Sequence, residues 1–444
     1  MKKGTKLLGL AIVLTMILTL VSSLTALAED RITITYSYWG TPEESKSTQN
    51  VLDKYNAAQD KVFVELVCIP NEEYTTKLNS MATAGTMPDC GIMNENGVLA
   101  FANAGLLADI SDMYANSESK PLDCLTFRSN GNTVAYSGCN EILLLYYNKD
   151  MFDAAGIEYP SSNPDKAYTW DEFIEVAKKL TIDANGKHPG EDGFDSEKIV
   201  QYGCNVDNWT WQLEVWAQSN GGAWFTEDGK TCVINSAEAI ESIQKVADLY
   251  LVEHVAPYYD GHADEGITRS IAAGNVAMAT GGAWNMGTAM PGVSFNWGIG
   301  VLPYMKEKVT ACTSGPQVVF AQSKHLREAM DFIAWYTKEE NSWNLIETGI
   351  WMPLLEKYYV AGEAMDSWLK DESFPIKDYD IAKAVLVDYT KAYAKSACWY
   401  YTPNTSDFID MLRSVLGPVW TGEKTADEVI TANYDALAST IGEF

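Results

Sequence analysis

Histidine is nearly absent. The 444 residues hold four, His188, His254, His262 and His325, and none forms HExxH or an i, i+4 pair. That removes the histidine-based zinc hydrolases. Cysteine occurs eight times, at positions 68, 90, 124, 139, 204, 232, 312 and 398, but never as CxxC and at spacings that match no zinc module. GxSxG, Walker A and GxGxxG are all missing, so no nucleophile elbow, phosphate loop or dinucleotide turn is expected. No metal and no cofactor is therefore expected. The turn Asp183-Ala184-Asn185-Gly186-Lys187 starts like a calcium loop, but its fifth residue is a lysine, a poor ligand. Basic residues are also few: 32 Lys and Arg against 60 Asp and Glu, a formal charge of −28. Such a surface repels phosphate backbones and anionic lipid heads, which argues against nucleic acid and favours a neutral or cationic ligand. A glycosidase would need two carboxyls held roughly 5–5.5 or 6.5–9.5 Å apart, and no pair stands out. The chain reads as a binder, not an enzyme.

What is present begins with the leader. Lys2, Lys3 and Lys6 precede an apolar run, Leu7 to Leu24, and Ala26-Leu27-Ala28 supplies the small residues of a cleavage site. Residues 1–28 read as a secretory signal peptide, which places the mature chain outside the cytoplasm. No cysteine directly follows the run, so lipid attachment is not expected. An even cysteine count in an exported chain permits disulfides. The sequence gives no pairing, and a reduced set is equally open.

The length calls for two domains. Ile32 to Trp39 alternates β-branched and aromatic residues, a strand ended by Gly40-Thr41-Pro42. Helix, strand, helix and a short strand from Cys90 follow, the order of parallel βαβ units. Ile142 to Tyr147 is a continuous apolar strand, and Thr169-Trp170-Asp171-Glu172 is a capping box opening a helix. Val276 to Ala279 is another strand, and the chain beyond Leu326 is mostly helical. No linker separates two halves, so the chain is expected to cross between domains more than once.

Aromatics are the positive signal, with 14 Trp and 24 Tyr. A sugar offers flat C–H faces to indole and phenol rings and a rim of hydroxyls to Asp, Glu, Asn and Arg. Rings beside polar residues at strand ends or loops are therefore the candidates. They are Trp39 with Glu43, the run Asn94-Glu95-Asn96, Asp207 with Trp209 and Trp211, Trp284 with Asn285, Trp351, and Trp399 with Tyr401. Trp170, Trp216, Trp335, Trp343 and Trp420 sit at helical spacing among apolar residues and read as core. Trp224, Trp297 and Trp368 read as packing.

Several stretches, taken in order, resemble the carbohydrate-type extracellular solute-binding proteins of ABC importers, the group of maltose-binding protein. They are Gly85-Thr86-Met87-Pro88-Asp89, Ala104 to Ile110, Leu145-Tyr146-Tyr147-Asn148-Lys149-Asp150-Met151-Phe152, Thr169 to Phe173, Gly282-Ala283-Trp284, and Gly422 to Glu428. The resemblance implies an α/β fold: a two-lobed periplasmic-binding-protein clamshell of type II, each lobe a mainly parallel sheet flanked by helices, with three hinge crossings. Residues 29–137 and 315–348 would form the first lobe, and 138–314 and 349–444 the second. The crossings would fall near residues 136–140, 313–317 and 347–352. It implies that Trp284 stacks on ligand, that 94–96 and 207–211 supply polar and aromatic contacts, and that a membrane permease receives the solute from a monomeric, non-catalytic carrier. A non-sugar solute, such as a polyamine, peptide or metal complex, is the alternative.

Overall fold

The computed structural model describes residues 31–442 apart from 40–41, 71–72, 116, 259–266 and 268–269, and omits the side chains of 42–45 and 47. The leader at 1–28 and the side chain of Glu43 lie outside the described residues. Among those described, no helix is long and apolar enough to cross a membrane. The chain divides into two compact units: Met1–Ile92 with Val319–Ile333, and Met93–Val318 with Ala334–Phe444.

In the first unit, strand β1 (Ile32–Trp39) lies between β2 (Val62–Ile69) and β3 (Cys90–Ile92), parallel to both. Helices Pro42–Ala58 and Tyr74–Ala84 make the crossovers. Alternation in β1 turns Ile34 and Tyr36 inward, where Tyr36 and Tyr55 meet the Phe332 ring at 5.5 and 5.0 Å.

The second unit contains a hairpin, β4 (Thr126–Ser129) and β5 (Asn132–Ser137). Asn130 and Gly131 turn it with φ of 53° and 84°, the left-handed pair that tight hairpins need. Its main sheet is built on β6 (Glu141–Asn148), β7 (Ile182–Asp183), β8 (Ile199–Asn205), β9 (Val276–Gly282), β10 (Trp297–Gly300) and β11 (Thr310–Thr313). Strand β12 (Pro316–Val319) pairs antiparallel with β5, and β13 (Ala394–Ser396) joins β11.

The α/β class stands, but this sheet is mixed instead of mainly parallel. β6 runs antiparallel to β9, β10 and β11, and only the β8–β9 and β11–β13 pairs are parallel. The reason lies in burial. β6 is covered on both faces, so its stretch from Ile142 to Tyr147 is apolar without alternation and carries no mark of strand direction.

The capping box forms with both arms: Thr169 Oγ1 accepts from Glu172 N, and Glu172 Oε2 accepts from Thr169 N. The Asp183 carboxylate accepts amides from Asn185, Lys187 and Asp195, a loop closed on its own backbone. Trp170, Trp216, Trp224, Trp368 and Trp420 are buried, whereas Trp335 and Trp343, read as core, are only half-buried. Both sit on helices with an open side, where period alone cannot separate a fully covered ring from a flanking one.

Candidate functional site

Several chain segments converge within the second unit. Residues 138, 140, 315 and 352 are laced together: Gly138 N donates to Gly315 O, and Asn140 and Met352 exchange both backbone bonds. Beside them, Glu141 opens β6 opposite Thr313 of β11. The turn Glu95–Gly97 is tied to the helix Thr405–Val415, since Asn96 Nδ2 donates to Ser406 Oγ at 3.4 Å and Thr405 Oγ1 to Asn96 O at 3.4 Å.

These segments enclose a cavity of about 330 Å³, at the small end of the range for ligand sites. Asn94, Glu95 and Asn96 line it, with Trp209, Trp211, Trp284 and Trp399. Seven of the thirteen candidate residues are thus brought to one place. Glu141, Thr313, Ile409 and Arg413 complete the wall, and the sequence reading missed all four. Ile409 and Arg413 share one face of a helix, a spacing that ordinary surface helices also show. A carboxylate heading an otherwise apolar strand was the visible signal for Glu141.

The indoles form two groups. Trp209, Trp211 and Trp399 run as a chain of tilted rings, with centroids 5.7 and 5.6 Å apart. Trp211 and Trp399 are buried at 7% and 6% exposure. Trp209 and Trp284 are half-buried, which leaves ring area free for a ligand. Trp399 Nε1 is buried without a hydrogen-bond partner among the described residues, so this residue offers the cavity ring area and not a free donor.

Trp284 owes its placement to Gly282. A Cβ on Gly282 would lie 1.8 Å from Trp284 Cζ3 and 2.0 Å from Cη2, so the ring folds flat over the bare backbone. Gly282 has φ −73° and ψ 151°, which any residue adopts. Gly282→Ala should therefore push the ring aside without straining the chain. We expect ligand affinity to fall by about tenfold or more with little change in Tm, read by calorimetry and a thermal melt.

The charged groups are two carboxyls and one guanidinium. Burial, and then the nearby Glu95 charge, push the Glu141 carboxyl up to about 8. Burial raises Glu95 as well. Glu141 therefore keeps its proton near neutrality and can donate to one hydroxyl and accept from another.

The other candidates sit elsewhere. Tyr401 Oη donates to Glu214 Oε1 at 3.1 Å, and Cys398 N donates to Glu214 Oε2 at 3.0 Å. Buried Glu214 thus braces the turn that carries Trp399. Asn285 Nδ2 donates to Gly282 O at 3.0 Å. Asp207 is buried just ahead of Trp209, and half-buried Trp351 lies outside the cavity wall. Trp39 belongs to the first unit, edge-on to Tyr74 at 5.5 Å. Among the described residues, no group of three or more His, Cys, Asp or Glu could hold a metal ion.

The family model for bacterial extracellular solute-binding protein matches residues 39–343. The arabinooligosaccharide-binding protein of Halalkalibacterium halodurans is 25% identical over 313 residues, 65% of this chain and 63% of that protein, so just under two thirds of its length is spanned. The sn-glycerol-3-phosphate-binding periplasmic protein of Escherichia coli is 23% identical over 366 residues, 79% of this chain and 74% of that one. Among solved structures, an ABC substrate-binding protein from Listeria monocytogenes in complex with cycloalternan superposes with a TM-score of 0.73 at 22% identity, covering 94% of this chain and 100% of that one. A solute-binding protein from Thermotoga lettingae bound to α-D-tagatose gives 0.71 at 20% identity, covering 93% and 100%. Both likenesses establish the two-sheet, type II binding-protein fold.

Proposed function

We propose a sugar-capture role for this chain, which belongs to the bacterial extracellular solute-binding protein family. It binds a mono- or oligosaccharide outside the cytoplasm and hands it to the permease of an ABC importer. No bond is made or broken. The observation that carries this reading is the cavity that joins four indoles to two carboxyls and a guanidinium. Rings cover the apolar faces of a pyranose or furanose, while Glu95, Glu141, Asn94 and Arg413 meet its hydroxyls. The named relatives bind an arabinooligosaccharide and a glycerol phosphate. Charge favours the first kind. With Glu141 protonated, Glu95 and Arg413 offset each other, so the wall offers a phosphate dianion no net positive charge.

A thermal-shift panel tests the choice, with arabino- and malto-oligosaccharides, tagatose, sn-glycerol 3-phosphate and putrescine. A saccharide at a hundred times its Kd should add about 2.7 kcal/mol of stability, and glycerol phosphate should add none. A shift by putrescine alone would overturn the sugar reading. Two carboxyls on one wall, one holding its proton, are also the kinds of group that a glycosidase uses. Incubation with the panel oligosaccharides should release no new reducing ends, and turnover above background would replace the carrier role with an enzyme.

A further inference from the structure

All eight cysteines carry free thiols, and two of them stand on neighbouring elements. Cys124 lies in the short turn Asp123–Leu125 and Cys312 in β11, and that turn packs on both β11 and β13. In the β11–β13 pairing Cys312 stands directly opposite Ser396. The Ser396 hydroxyl in turn donates to the Cys124 carbonyl at 2.9 Å, and Cys312 Sγ donates to Lys395 O at 3.5 Å. Two residues of one strand end thus grip both cysteines. Burial, and then the neighbouring Cys124 thiol, hold the Cys312 thiol well above its usual range. Cys124 is partly exposed and Cys312 is buried, so a reagent meets Cys124 first.

We propose that Cys124 and Cys312 are a reactive dithiol that closes to an intramolecular disulfide when the protein meets a low-molecular-weight disulfide such as oxidised glutathione. The Cys124 thiolate attacks one glutathione sulfur, and the glutathione S–S bond breaks. One glutathione thiolate leaves and takes up a proton. The Cys312 thiol loses its proton and attacks Cys124 Sγ, and the mixed disulfide breaks to release the second glutathione. Two protein thiols are oxidised by two electrons, and one glutathione disulfide is reduced to two thiols. The bond would fix β11 one residue from Thr313, which lines the cavity opposite Glu141. It would also close a long loop, which raises stability chiefly through the unfolded chain.

The test uses the full chain, reduced and then incubated with oxidised glutathione. Intact mass and non-reducing peptide maps should show one internal crosslink, between the peptides carrying Cys124 and Cys312, and Tm should rise by about 5 °C. Cys312→Ser should accumulate a single glutathione adduct on Cys124. Cys124→Ser should give neither adduct nor crosslink at these positions and no Tm rise. A crosslink through any other cysteine, or a wild type that stops at the glutathione adduct, overturns the proposal. Sugar binding plays no part in the readout, so this inference and the carrier role fail separately.

Discussion

Trp284→Ala should weaken binding of the panel saccharide by about thirtyfold, close to 2 kcal/mol, while moving Tm by little. The two readouts separate because the ring is only half-buried and lies against the bare backbone of Gly282. Little packing is lost when it goes, whereas a ligand loses the face it stacks on. Trp399→Ala supplies the contrast. That ring is 6% exposed and leans on Trp211 at 5.6 Å, so its loss opens a cavity and should cost about 3–5 kcal/mol of stability. Calorimetry and thermal melts on the two variants decide the matter. Equal affinity for wild type and Trp284→Ala would mean that the ligand does not stack there.

That contrast also marks how far the residues could be read without coordinates. Trp284 was legible because a strand, a glycine pair and an indole in sequence place a ring at a strand end. The run 94–96 was legible on the same ground, as a polar turn after a short buried strand. Trp209 and Trp211 were both candidates, and both line the wall, the first half-free and the second buried behind it. Glu141 stood out as a carboxylate heading an apolar strand, but neither its role nor that of Arg413 could be read locally. Glu141 acquires its role from the strand pairing that sets Thr313 opposite it, and pairing partners far apart in sequence leave no local trace. Arg413 lines the cavity from a helix whose first turn is tied to Asn96 through Thr405 and Ser406, a contact between segments far apart in sequence. Tyr401 looked like a ring for sugar, yet its hydroxyl is committed to Glu214, a partner 187 residues away. The antiparallel setting of β6 was hidden by the same both-face burial that made the strand easy to find.

Stability should rise as pH falls from about 8.5 to about 5.5, the reverse of the usual acid sensitivity. Burial pushes Glu214 up to about 7 from an ordinary 4.5, the bonds from Cys398 and Tyr401 offsetting only part of it. Glu141 titrates still higher, at about 8. Between the unfolded and folded values the native chain holds a proton that the unfolded chain has released. The unfolding free energy therefore falls as pH rises through that window and levels off above the folded values. For Glu214, 1% exposed, the change is on the order of 3 kcal/mol. Glu141 adds less than its higher value alone would give, since its carboxyl opens onto the cavity, where solvent screens the charge.

Surface carboxylates are ionised in both states across this range and add no slope of their own. Glu172 and Glu428 act in the opposite sense. Backbone bonds from Thr169 and Thr425 hold them below the ordinary range, so their stabilisation is lost only as pH drops through those lower values. Thermal melts from pH 4 to 9 should thus peak on the acid side of neutrality. Glu214→Gln should flatten the decline toward pH 8.5, its amide oxygen still accepting from Cys398 N. Glu141→Gln should hold saccharide affinity constant above pH 8, where the wild type loses its donor. An unchanged slope in Glu214→Gln would show that this carboxyl is already ionised in the folded chain, and the bracing of the Trp399 turn would then rest on a buried charge.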